Sequence, residues 1–195
     1  MKNNQPNNRQ FQKGFSYIEV MISLVIMLVG ILGLTSALAA NLMRSYQTEK
    51  QIVAKQFALS TIESIISARD VARDGAVSGW ETVGNVGANP VGGVPQGIFL
   101  VGYRPIREDL GWDGAAGTAD DACPGTNPCL TTGRPPNAST VVPSFQRRIV
   151  ITDVADPEKP SPQNAVARRR IEVSIRYNVN QITRDEVIST IVTNY

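Results

Sequence analysis

From Val20 to Met43 the chain carries no charged side chain, and Leu, Ile, Val and Met dominate as far as Ala40. As a helix rising about 1.5 Å per residue this stretch spans roughly 36 Å, enough to cross a hydrocarbon core of about 30 Å. A membrane-spanning helix is therefore predicted over residues 15–40. Beyond it no proline occurs before Pro90, and Ile52, Leu59, Ile62 and Ile66 recur at helical spacing. Leu42 and Tyr46 lead into that stripe, Val53 and Phe57 widen it, and Lys50, Lys55, Glu63, Arg69 and Asp70 supply a wet face. One helix is expected from Phe15 to about Ala72, its second half amphipathic.

The pattern then changes period. Residues 75–97 hold seven glycines and two prolines with few charges, which predicts a long connecting loop. Ile98 to Tyr103 reads as a short strand stopped by Pro105, and residues 106–144 return to Gly-, Pro- and Asp-rich loop. Phe145 to Asp153 reads as a strand. Strict alternation follows, with Ile171, Val173, Ile175, Tyr177 and Val179 on one face and Glu172, Ser174, Arg176 and Asn178 on the other. Val187 to Thr193 supplies a last strand. The expected fold class is α+β: a long N-terminal helix packed on an antiparallel sheet of three to four strands, each layer covering the other's apolar face.

With 195 residues there is room for one such domain beside the membrane helix. The formal charge of +2 belongs to the first 14 residues, where Lys2, Arg9 and Lys13 stand without an acid. That basic leader favours a cytoplasmic N-terminus and an exported C-terminal part. A nearly neutral remainder gives no electrostatic footprint for nucleic acid, and none is expected as a partner. Histidine is absent from the chain, which removes the commonest general base and the usual zinc ligand. The chain is read as non-enzymatic and without a cofactor. Residues 1–14 are a leader, 15–40 the membrane helix and 41–195 the exported domain.

Within Lys13-Gly14-Phe15-Ser16-Tyr17-Ile18-Glu19 a basic stretch ends in glycine and the apolar segment starts at once, with Glu19 at its head. A peptidase at the membrane face needs an accessible, slender backbone, which Gly14 offers. Cleavage there would leave an ammonium on Phe15 that the Glu19 carboxylate of an axially shifted neighbour could meet. Gly14-Phe15 followed by Glu19 and an apolar helix resembles the class III signal of type IV pilins and pseudopilins, over residues 13 to about 45. The run Phe15 to Val25, with Gly30-Ile31-Leu32-Gly33-Leu34, is most similar to minor pilins of the PilV type, the pilus-modification proteins. The resemblance implies cutting after Gly14 and N-methylation of Phe15 by the prepilin peptidase/methyltransferase. Extraction from the inner membrane by an assembly platform and packing among other major and minor pilin subunits would follow, with Glu19 as the assembly residue. It further implies a periplasmic C-terminal domain before assembly and a place on the cell surface after it. A pseudopilin of a type II secretion system carries the same signal. Unlike many major pilins, this helix has no proline in its membrane half, where Gly30 and Gly33 either loosen it or pack against other helices.

Other readings compete. Ser16 and Glu19 match the S-x-x-E spacing of a helix-capping box. Ala37-Leu38-Ala39 resembles an ordinary secretory cleavage site, which would release a soluble adhesin or enzyme. In the exported part, Cys123 and Cys129 bracket two prolines and a glycine and are expected to form a small disulfide ring. Asp113, Asp120 and Asp121 lie on a Gly-rich stretch and are a calcium candidate, set against a solvated acidic turn. Arg168-Arg169-Arg170 opens a strand, either as a phosphate site or as a charged end that discourages edge pairing. Asn137-Ala138-Ser139 has the spelling of a glycosylation sequon.

Overall fold

A computed structural model describes residues 14, 16–71, 78–111, 113–122, 139–155 and 167–194. The chain divides into two compact units, Met1–Tyr46 and Gln47–Tyr195. Helix α1, Tyr17–Asp70, is continuous through 54 residues, two residues inside each end of the predicted span. It remains helical through Gly30 and Gly33, and a Cβ added at either would meet nothing within 4 Å.

In the first unit the large apolar side chains of α1 are exposed, Leu24, Val25, Ile26, Leu28 and Leu34 among them. Among the described residues this is the one helix long and apolar enough to cross a membrane, with a mean hydropathy of 2.4 over its best window.

The second unit holds the core. After α1 come α2 (Gly79–Thr82), strands β1 (Pro90–Val91), β2 (Val94–Pro95) and β3 (Arg104–Arg107), a 3-10 turn at Ala119–Ala122, then β4 (Val141–Asp153), β5 (Arg168–Val179) and β6 (Ile182–Thr193). Strands β3-β4-β5-β6 form one antiparallel sheet in chain order, and β1-β2 a separate hairpin. In register, Ile149 stands opposite Val173 and Val173 opposite Ile188. The alternation read from the sequence is the observed one: Ile171, Val173, Ile175, Tyr177 and Val179 are all buried. They face Ala54, Ala58, Ile62, Ile65 and Ala68 of α1 within one hydrophobic cluster. Phe57 of the helix meets Phe145 of β4 edge to face at 5.4 Å.

Several boundaries and one face differ from expectation. Ile52 and Leu59 are each 51% exposed, whereas Ala54 and Ala58 are fully buried. Ile62 of the expected stripe is buried and Ile66, Val53 and Phe57 pack against the core, so only Ile52 and Leu59 fall off the buried face, where Ala54 and Ala58 let the sheet come close. The loop expected over 75–97 contains α2 and the β1-β2 hairpin, whose turn residues Gly92 and Gly93 take φ of 58° and 83°, open to glycine at little cost. Strand β3 begins at Arg104, past the predicted 98–103, and includes Pro105. Its position at the sheet edge leaves room for a residue without an N–H. Phe99, from the predicted strand, is buried through an isolated parallel bridge to Asn85.

Candidate assembly site

Gly14 is exposed, and a Cβ built on it would meet nothing within 4 Å. Phe15 lies outside the described residues. The helix begins with the Glu19 N–H donating to the Ser16 carbonyl at 2.9 Å and the Val20 N–H to the same oxygen at 3.2 Å. The Ser23 hydroxyl donates back to the Glu19 carbonyl at 2.7 Å. These are backbone-accepted bonds, so the reciprocal side-chain bonds of a capping box are not made here. Among the described residues the Glu19 carboxylate has no ion pair or hydrogen bond, and the side chain is exposed. The structure thus sets an accessible glycine five positions ahead of an unpaired carboxylate, with apolar side chains exposed from Val20 onward. Fully burying a single Leu or Ile is worth about 1.5–3 kcal/mol, so such a surface gains from cover by lipid or by other apolar groups.

The remaining predicted residues lie in the second unit. Cys123, Cys129 and Asn137 fall outside the described residues, while Ser139 of the sequon is buried and accepts the Asp109 N–H at 3.0 Å. Asp113, Asp120 and Asp121 are brought together around the Thr118 hydroxyl, which lies 3.4, 2.5 and 3.3 Å from their respective oxygens. Each carboxylate also has work within the fold. Asp113 accepts from the Ala115 N–H, Asp120 from the Asp113 N–H and Asp121 from the Gly117 N–H. Gly117 takes a φ of 96°, which favours glycine, and a Cβ there would press on the tip of Ile149.

Asp121 further forms a buried ion pair with Arg147 of β4 at 2.8 Å. Burial pushes the Asp121 carboxyl up from its ordinary value, against the opposing pull of the Gly117 N–H and the Arg147 guanidinium. Among the described residues no group of three His, Cys, Asp or Glu side chains is disposed to hold a metal ion. A protein cation already balances part of the acidic turn, and Arg147 also reaches the Thr61 hydroxyl of α1 at 3.4 Å. The Ala116 N–H donates to Ser64 of the same helix at 2.7 Å.

Arg169, the middle member of the basic triplet, takes a role that neither sequence reading foresaw. It is only 3% exposed and lies 4.3 Å over the Trp80 ring. It donates to the carbonyls of Trp80 and Val83 and pairs with Asp153 at 3.1 Å. It is a clamp that fixes the α2 segment on the sheet. Asn85 acts similarly on β4, donating to the Ile149 carbonyl at 3.0 Å and accepting the Ile151 N–H at 2.9 Å in place of a neighbouring strand.

A family model described as the prokaryotic N-terminal methylation motif matches residues 9–35. No curated protein and no solved structure matches the chain. The matched segment holds Gly14, Phe15 and Glu19 and most of the apolar run, and is the class III signal found on type IV pilin-like proteins. The motif supports a type IV pilin-like reading, the helix-and-sheet order of the elements is consistent with a pilin fold, and the signal and long apolar helix are consistent with membrane insertion.

Proposed function

For a pilin-like chain whose methylation motif spans residues 9–35 and leads into an exposed apolar helix, we propose the role of a minor type IV pilin, a non-enzymatic subunit for starting or modifying a pilus. The observation that carries this reading is the unpaired Glu19 carboxylate at the head of that helix.

Hydrolysis of the bond after Gly14 consumes one water, releases the leader with a new carboxylate and leaves an ammonium on Phe15. Methylation keeps that nitrogen basic and cationic. In lipid the charge pairs with Glu19 of a neighbouring subunit and fixes the axial step between the two helices, since stranding one member of a buried pair costs about 3–5 kcal/mol. Before assembly the chain sits in the inner membrane with its N-terminus cytoplasmic and the domain from residue 41 periplasmic. Prepilin peptidase/methyltransferase, the assembly platform and other pilins are its partners, and Cys123 and Cys129 pair after export.

Mass spectrometry of the mature chain tests the first step: an N-terminus at methylated Phe15 supports the proposal, and one at Ala40 replaces it with a secreted protein. Glu19→Ala tests the second. The variant is expected to be cut normally yet to be absent from sheared filaments, and normal incorporation would refute the pairing mechanism. A pseudopilin of a type II secretion system is supported by the same motif. Deletion separates the two, with loss of surface pili and twitching expected here and loss of exoprotein secretion expected for the pseudopilin.

A further inference from the structure

The outer face of the four-stranded sheet carries a groove that the assembly role leaves unused. Across its width, Pro105 of β3 stands opposite Gln146 of β4, Gln146 opposite Arg176 of β5, and Arg176 opposite Asp185 of β6. One row further, Asn178 is paired with Thr183. The β3-β4 register shifts between Pro105 and Arg107, and β4 bulges at Ser144, which has a φ of 68°. A non-glycine residue held at positive φ is strained, and bulges of this kind re-aim side chains beside binding sites. Beside the bulge lies a cavity of about 390 Å³ lined by Pro105, Val142, Ser144, Gln146, Arg176 and Asn178 among others. That volume lies at the small end of the range for ligand pockets.

The lining defines the ligand by elimination. Arg176 is the groove's charged residue, and it is paired with Asp185 through two bonds of 2.9 Å while Tyr103 lies 3.8 Å over its guanidinium. With that charge matched inside the protein, an ionic ligand finds no free counter-charge. The Phe145 and Tyr177 rings are 5% and 4% exposed, so no open aromatic face is offered for stacking a flat base.

What remains is neutral and polar. Among the described residues no hydrogen bond uses the Gln146 amide or the Ser144 hydroxyl, and Asn178 spends only its Oδ1, accepting from Thr183 at 3.0 Å. An amide presents a donor and an acceptor in one plane, which suits adjacent hydroxyl groups that both give and accept. Pro105 and Val142 add an apolar wall for a face of C–H groups. We propose that this groove binds a neutral sugar ring, free or as one unit of a glycan, through Ser144, Gln146 and Asn178.

The test uses the full chain, isotope-labelled and held in phosphocholine-headgroup micelles so that no glycoside detergent competes. Glucose, galactose and N-acetylglucosamine, each free and as its methyl glycoside, are titrated while amide resonances are followed. Saturable shifts confined to the groove strands, with a Kd in the millimolar range, about −4 kcal/mol, are expected for at least one sugar. Equal binding of the methyl glycoside identifies a unit within a glycan as the ligand, and preference for the reducing form identifies free sugar. Gln146→Ala and Asn178→Ala are exposed substitutions, and each is expected to weaken binding about ten-fold with an unchanged melting temperature. No saturable shift up to about 100 mM would overturn the proposal. Unchanged affinity in both variants would overturn it as well, as would tighter binding of a neutral capped dipeptide at the same resonances.

Discussion

Residues 17–46 and 47–70 belong to one helix, yet their apolar side chains are disposed in opposite ways. In the first stretch the large residues stand open, Leu34 at 73% and Ile26 at 67% exposure, and none of the helix's buried residues lies there. In the second the buried positions are Ala54, Ala58, Thr61, Ile62, Ile65 and Ala68. The most hydrophobic part of the chain is thus the least buried within its own fold. The difference teaches that hydropathy alone does not say what covers a segment. The large residues of the first stretch find no cover within their own unit, whereas Ile62, Ile65 and the alanines of the second lie against the chain's own sheet.

Four measurements would break or sharpen that contrast. The largest effect is expected where the second unit relies on buried charge. Arg147→Met strands Asp121 and should cost about 3–5 kcal/mol, read as a melting temperature lower by at least about 6 °C, with Asp121→Asn in the same chain restoring much of the loss. Ala58→Leu should come next. It forces extra volume against the sheet at about 1–3 kcal/mol, measured by the same thermal scan.

Third is the pH profile, in which two carboxylates have opposite signs. Arg176, chiefly by its hydrogen bond, holds Asp185 below its ordinary value of 3.8. The stabilisation from Asp185 is therefore present above that value and is lost as pH falls through the lower folded one, modestly because the pair is exposed. Asp121 is raised by burial, so its contribution is greatest below 3.8 and is lost as pH rises through its folded value. Stability measured against pH should fall slightly less on the acid side in Asp185→Asn, where Asp70 still contributes, and decline less from about pH 4 upward in Asp121→Asn. The smallest effect belongs to the first stretch: Leu28→Ala should move the melting of the sheet domain by no more than about 0.5 kcal/mol. A drop matching that of Ala58→Leu would erase the distinction between the two halves.

Much of this arrangement was legible because it is periodic. The ends of α1 and the inward face of β5 follow from spacing alone, and Gly14 and Glu19 stand in a linear motif that needs no tertiary contact to be seen. The buried face of α1 was not legible in the same way. Counting large residues selected Ile52 and Leu59, and only the closeness of the sheet shows why Ala54 and Ala58 matter. Pro105 reads as a strand terminator until β3 is known to be an edge. Strand β6 begins at Ile182, ahead of the predicted Val187, because an edge strand tolerates Arg184, Asp185 and Glu186. Arg169 was misread for a different reason. Its partners Trp80, Val83 and Asp153 are scattered along the chain, and a charged triplet gives no sign that its middle member will be enclosed.

Strand β6 has one further consequence. Among the described residues it pairs with β5 alone, and from Val187 to Thr193 it is uncharged and almost wholly β-branched. Its charges guard only the first half of the edge, leaving the rest able to template another strand. Encounters between such edges rise with the square of abundance, so crowding penalises this chain more steeply than one with a closed sheet.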